Sequence, residues 1–197
     1  MKTKICIIRH GQTDQNKLKK IQGRKDFPLN DYGKFQALQA GKYLKSINAE
    51  FDLIFSSPLS RAYDTAKIIK NQLSLDCEII KNPDFIERDF GVSEGLDVNK
   101  ENFVKILDDS YENLEKSFEI QNRVYNGLLK VLRNNTNYQS ILIVCHSHTI
   151  KALLTKLDPK RTFMDPLVNC SINYFEYDND KINIIETNID PLKNANL

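Results

Sequence analysis

The apolar run at residues 5–8 ends abruptly in Arg9, His10 and Gly11. Four apolar residues bounded by Lys4 and Arg9 read as a buried strand. Polar groups crowded at its carboxyl end sit where open α/β sheets place their ligands. Residues 141–145 repeat the pattern, a second apolar run delivering His146. In a parallel sheet, two such strand ends share an edge and can be neighbours. Further short strands are expected at residues 51–55, 77–80 and 140–145.

Helical spacing fills the gaps between these runs. Asp31 is expected to cap a helix that buries Phe35, Leu38, Leu44 and Ile47. Ser57-Pro58 reads as the start of a second, carrying Leu59, Ala62, Ala66, Ile69 and Leu73. Leu114, Phe118, Tyr125, Leu128 and Leu132 mark a long amphipathic third. Near the end, apolar segments at 172–174 and 182–185 flank Asp178-Asn179-Asp180, a hairpin signal. Strand alternating with helix implies an α/β, three-layer sandwich: a mostly parallel sheet, helices on both faces, and a C-terminal edge hairpin. Residues 88–112 are polar and poorly periodic, an expected excursion over the substrate. With no repeat or linker in view, residues 1–197 read as a single domain, a length that buries a sizeable core.

Composition removes several classes of function. A net charge of +2 gives no basic footprint for nucleic acid or a membrane surface. Cys6, Cys77, Cys145 and Cys170 form no CxxC pair and read as buried, reduced thiols. No apolar run reaches the length of a signal peptide core or a membrane span, so a cytoplasmic protein is expected. No GxxxxGK[ST] segment occurs, which argues against a nucleotide kinase.

The chemistry gathers at strand ends. The chain has three histidines, and His10, His146 and His148 all follow apolar runs directly or within two residues. His10 suits a nitrogen nucleophile or base, and Arg9 a fixed cation for an oxyanion. Arg61 falls in a first helical turn, the wrong end for a cation unless it and the free amides converge on an anion. Glu87 and Glu94 lie in a glycine-punctuated loop, and either suits a proton donor to a leaving group; spacing does not choose between them.

These residues fall in a known order. The chain resembles the histidine phosphatase superfamily, the group that includes cofactor-dependent phosphoglycerate mutases and many small phosphatases. The resemblance rests on Arg9-His10-Gly11-Gln12-Thr13 with Asn16, then Gln22-Gly23, Asp26-x-Pro28-Leu29, Gly33 and Gln36-Ala37. It continues through Ser56-Ser57-Pro58-Leu59-x-Arg61-Ala62, Thr65-Ala66, Glu87, Gly91 and Glu94-Gly95 to His146 and Asn169-Cys170-Ser171-Ile172. It implies that His10 attacks phosphorus, that Arg9, Arg61 and His146 bind the equatorial oxygens, and that Glu87 moves the proton. It also implies a substrate pocket built from Thr13, Asn16, Gln22, Gly23 and Ser147, with no metal and no cofactor. Departures bear on the substrate: Ser147 replaces the usual glycine, Ser93 the aromatic before the Glu-Gly pair, and Arg24 with Lys25 a frequent tryptophan.

The resemblance implies a metal-independent phosphomonoesterase acting on a small phosphorylated metabolite. The alternative is a phosphoglycerate mutase, but family mutases are generally longer and usually carry threonine at the position of Gln22. Two remoter readings stand beside these. One is a metal hydrolase on His146-Ser147-His148, whose alternation on a strand would put both imidazoles on one face. The other is a non-catalytic phosphate-binding module.

Overall fold

The run at residues 5–8 lies within β1 (Thr3–Arg9), a central strand of the computed structural model, which describes residues 2–194. In chain order there follow α1 (Asp14–Lys17), α2 (Asp31–Ser46), β2 (Leu53–Ser56), α3 (Ser60–Leu73) and β3 (Ile79–Lys81). Then come α4 (Lys100–Leu107), α5 (Ser117–Asn134), β4 (Ser140–Cys145), α6 (Ser147–Leu157), β5 (Ile172–Asp178), β6 (Lys181–Ile189) and α7 (Pro191–Asn194). Among the described residues the strands form one six-stranded sheet in the order β3-β2-β4-β1-β5-β6. β3, β2, β4 and β1 run parallel, and the β5–β6 hairpin joins antiparallel at β1. Residues 1 and 195–197 of the expected domain lie outside the described residues.

Alternation along β1 explains its unbroken apolar run. Ile5 and Ile7 face one layer with Ile141, Ile143, Leu128 and Leu153, contributed by β4, α5 and α6. Cys6 and Ile8 face the other, with Ala40, Leu44, Ala66 and Ile69 of α2 and α3. A strand buried on both faces leaves no polar position. Each fully buried isoleucine here contributes about 1.5–3 kcal/mol. Helices cover both faces, as expected for three layers.

Several local expectations change. Asn30, not Asp31, is the N-cap of α2, accepting the Gly33 amide at 2.8 Å. The buried face of α2 is Gly33, Gln36, Ala37, Ala40, Gly41 and Leu44, whereas Phe35 and Ile47 are exposed. The reason is proximity: a Cβ on Gly33 would lie 2.0 Å from the Gln12 carbonyl, and one on Gly41 2.7 Å from Cβ of Gln72. Small residues mark where the helix touches its neighbours.

α3 begins at Ser60 rather than at Pro58, with Leu59 at its N-cap. Its first amide, that of Ser60, donates to Asp26 at 2.9 Å, so a distant loop caps it. α5 begins at Ser117 with Phe118 exposed; Leu114 instead packs with Ile21, Phe90 and Ile106 in a small satellite core. That satellite holds down the excursion at residues 88–112, which contains α4 and a 3₁₀ turn at Gly91–Ser93. Cys6, Cys145 and Cys170 are buried thiols as expected, while Cys77 is half-buried. Among the described residues no helix is long and apolar enough to cross a membrane.

Candidate active site

Strand register brings the predicted side chains together. Arg9 pairs with Cys145 across β1 and β4, so the next residues, His10 and His146, emerge side by side. Their rings meet edge to face with centroids 5.1 Å apart. On the far side of β4, Ser57 leaves β2 with its amide donating to Val144 at 2.9 Å. Its hydroxyl lies 2.7 Å from Nε2 of His146.

Gly11 makes the turn after His10 possible. A Cβ there would meet the Gly33 carbonyl at 2.3 Å, so only glycine lets the catalytic loop and the start of α2 approach this closely. The Gly11 amide donates to Thr65 Oγ1 at 3.1 Å, and that hydroxyl donates to the Arg61 carbonyl one helical turn earlier. Nδ1 of His10 lies 2.7 Å from the Gly11 carbonyl. A carbonyl only accepts, so Nδ1 bears the proton and Nε2 keeps its lone pair.

The two arginines are anchored but not saturated. Arg9 donates through Nη1 to the Leu167 carbonyl, and Arg61 to the carbonyls of Gly23 (2.7 Å) and Lys25 (3.0 Å). Nε of Arg9, Nε of Arg61 and Nδ1 of His146 are all buried without a partner. Buried donors are normally satisfied, and unmade bonds of this kind are expensive. Two open guanidinium N–H groups beside His10, with Nδ1 of His146 also unpaired, suit a bound anion.

Electrostatics keep the histidines neutral. Burial, with Arg61 and Arg9 beside it, holds His10 well below the usual histidine range. Burial, Arg61, His10 and Arg9 do the same to His146. Arg61 is pulled by burial to about 10, against Glu87 and Asp26, and stays charged at neutral pH.

Glu87 reaches the site from the chain just before the 88–112 excursion. Its Oε1 accepts the amides of Arg88 (2.9 Å) and Thr149 (3.2 Å), and Oε2 the His148 amide (3.3 Å); the Thr149 hydroxyl lies 3.3 Å from Oε1 and 3.0 Å from the Ile86 carbonyl. Its carboxyl oxygens thereby cap the N-terminus of α6, where the N-cap His146 makes no side-chain capping bond. Glu94, the other candidate, instead accepts the Arg24 amide at 2.6 Å. The remaining predicted residues line up beside these groups. Thr13 caps α1 in a capping box with Asn16 and donates to Gln22 Oε1 at 2.8 Å. Asn16 accepts from Asn169, which also donates to the His10 carbonyl at 3.1 Å. Gly23 presents its carbonyl to Arg61, and half-buried Ser147 opens α6.

Thr149 and Lys151 lie outside the motifs quoted from the sequence, whereas Asn169 stood among them without a role. Thr149 and Asn169 hold Glu87 and His10, and Lys151 bonds the Phe163 carbonyl at 2.9 Å, with burial pulling its ammonium to about 8. The Arg61/Thr65 pairing was readable, since residues four apart share a helix face. Arg24, which stands with Lys25 where the family often has tryptophan, forms ion pairs with Asp89 and Glu115, both at 3.4 Å. The alternation expected for His146 and His148 fails because β4 ends at Cys145 and both lie at the start of α6. His148 is packed between Phe90 and Phe163 instead. Among the described residues no group of three His, Cys, Asp or Glu side chains could hold a metal ion.

Comparison with known proteins identifies the family. The family model for the histidine phosphatase superfamily, branch 1, matches residues 5–190. The chain is 39% identical over 190 residues to an uncharacterized phosphatase, PhoE, of Bacillus subtilis, covering 95% of each. It is 32% identical over 170 residues to a 2,3-bisphosphoglycerate-dependent phosphoglycerate mutase of Bartonella henselae, covering 80% of this chain and 82% of that protein. Among solved structures, a phosphoserine phosphatase mutant from Entamoeba histolytica in complex with phosphoserine superposes with a TM-score of 0.80 and 28% identity. That match covers 94% of this chain and 96% of the other.

Proposed function

The chain belongs to the histidine phosphatase superfamily, branch 1, and on that premise we propose that it hydrolyses monoesters of small phosphorylated metabolites through a phosphohistidine on His10. The observation that carries the reading is the trio of buried, unpartnered nitrogens on Arg9, Arg61 and His146 beside a neutral imidazole. A phosphoryl group completes those bonds and presents phosphorus to Nε2 of His10.

The chemistry follows in two displacements. Nε2 of His10 forms a bond to phosphorus as the ester P–O bond breaks, and Glu87 gives a proton to the departing alkoxide. Water then attacks the phosphorus, Glu87 takes its proton, and the N–P bond breaks to release phosphate. Charge in such transition states spreads over the equatorial oxygens, where Arg9, Arg61 and His146 stand. The guanidinium groups supply stabilisation that a divalent ion supplies elsewhere, so no metal is needed. Thr13, Asn16, Gln22, Gly23 and Ser147 line the approach, and the domain at 1–197 acts as one unit.

Hydrolysis is favoured over mutase chemistry by Gln22, a position where family mutases usually carry threonine. The phosphatases among the similar proteins support the same choice. Phosphate release from a panel of phosphomonoesters, with EDTA present, tests it. The panel includes phosphoserine, and 3-phosphoglycerate with and without 2,3-bisphosphoglycerate. Release from one or a few esters is expected. Conversion of 3- to 2-phosphoglycerate with little release would make the protein a mutase, and no turnover would make it a binding module.

A further inference from the structure

We propose that Ser57 is a positioning residue that fixes the tautomer of His146, so that Nδ1–H rather than a lone pair faces the phosphoryl group. The proposal rests on the phosphoryl-transfer reading above for its function, but its geometry stands on the resting protein.

Ser57 and His146 are both fully buried, and Oγ of Ser57 lies 2.7 Å from Nε2 of His146. The Leu59 amide donates to the same Oγ at 3.3 Å. A hydroxyl has one proton to give, and an amide cannot receive it. Two arrangements are possible. In one, Ser57 donates to Nε2, and the neutral imidazole carries its own proton on Nδ1. In the other, Nε2–H donates to Oγ, which leaves a buried hydroxyl proton unmatched and aims the Nδ1 lone pair at the anion site. The first satisfies every group except Nδ1–H, and Nδ1 is the buried atom that lacks a partner.

Neutrality makes this choice matter. Burial and the nearby Arg61 keep His146 from carrying two ring protons, so it has a single N–H to offer. Delivered to a phosphoryl oxygen, that N–H is a third donor beside the guanidinium groups. Turned the other way, the ring presents a lone pair to negative oxygens.

The test reads the tautomer directly. Long-range ¹H–¹⁵N spectra of the imidazole ring of His146 are recorded for the wild type, Ser57→Ala and Ser57→Thr, free and with inorganic phosphate. The wild type is expected to show Nδ1–H. Ser57→Ala should shift the ring towards Nε2–H and lower kcat/KM by roughly 10²-fold, the scale of losing one oxyanion donor. Ser57→Thr keeps the hydroxyl and should restore both readouts. Nε2–H in the wild type, or an unchanged tautomer in Ser57→Ala, would overturn the proposal. Because the spectra need no turnover, a wild type that is inactive on every ester would contradict the hydrolase reading while still deciding the tautomer.

Discussion

Thr149 donates its amide to the Glu87 carboxyl at 3.2 Å, while its hydroxyl lies 3.3 Å from the same oxygen and 3.0 Å from the Ile86 carbonyl. Thr149 lies in the first turn of α6, just after His146. The proposed proton donor and the proposed phosphate-binding imidazole are therefore positioned by the same helix start. A helix N-terminus holds such a carboxylate with backbone groups that do not rotate away.

Glu87→Gln tests the proton-transfer role with little change in shape. The amide oxygen still accepts from Arg88 and Thr149, so the fold should hold. Alkyl phosphates, whose alkoxides need a proton, should slow by about 10²–10⁴-fold. p-Nitrophenyl phosphate, with a leaving group that scarcely needs one, should slow far less. Comparing kcat on the two substrates decides it, and equal losses would reassign Glu87 to a structural role.

Arg61 has two duties, and Arg61→Lys separates them. Its guanidinium spans the carbonyls of Gly23 and Lys25 while Nε stays open to the anion. A lysine keeps the charge but lacks the planar fork. We expect kcat/KM to fall by roughly 10²–10³-fold, as when one transition-state donor is lost. Stability should fall by about 1–3 kcal/mol, since a buried carbonyl is left unpaired. Steady-state kinetics and urea denaturation read the two effects separately.

Acid should weaken the fold through the histidines. His10, His146 and His148 all sit well below 6.5 in the folded state, each chiefly because it is buried. In the unfolded chain they take up protons as pH drops past about 6.5. The unfolded state then binds more protons, so stability is full above that value and declines as pH falls towards the folded-state values. Between pH 6.5 and 5.5 the loss should approach about 1.4 kcal/mol per pH unit for each histidine. Denaturation curves across that range should show an uptake approaching three protons per molecule at the lower end. A pH-independent midpoint would mean that the histidines titrate alike in the folded and unfolded states. The same depression predicts that protonation of His10 does not limit turnover until pH is well under 6.5.

What the sequence made legible was the edge of the sheet. Apolar runs stop where Arg9, His10 and His146 begin, and parallel pairing of such runs leaves their ends together. Helix faces were harder to read. On α2 the large residues Phe35 and Ile47 drew the eye, yet the helix buries Gly33, Ala37, Ala40 and Gly41 because it lies so close to its neighbours. Hydrophobic size signals burial only where there is space for it. Leu114 kept helical spacing with α5 but serves the satellite core, a contact set by chain distant in sequence. Ser57 looked like a helix start, and nothing local announces that its hydroxyl meets His146 across 89 positions.

Trapping the phosphoenzyme tests the central claim most directly. Wild-type protein mixed with a turned-over ester, quenched in denaturant at alkaline pH and digested, is examined by mass spectrometry for a phosphoryl group. The account predicts an acid-labile, base-stable phosphoryl group on the peptide carrying His10, and neither label nor turnover in His10→Ala. Label on another residue, or normal turnover by His10→Ala, would contradict it.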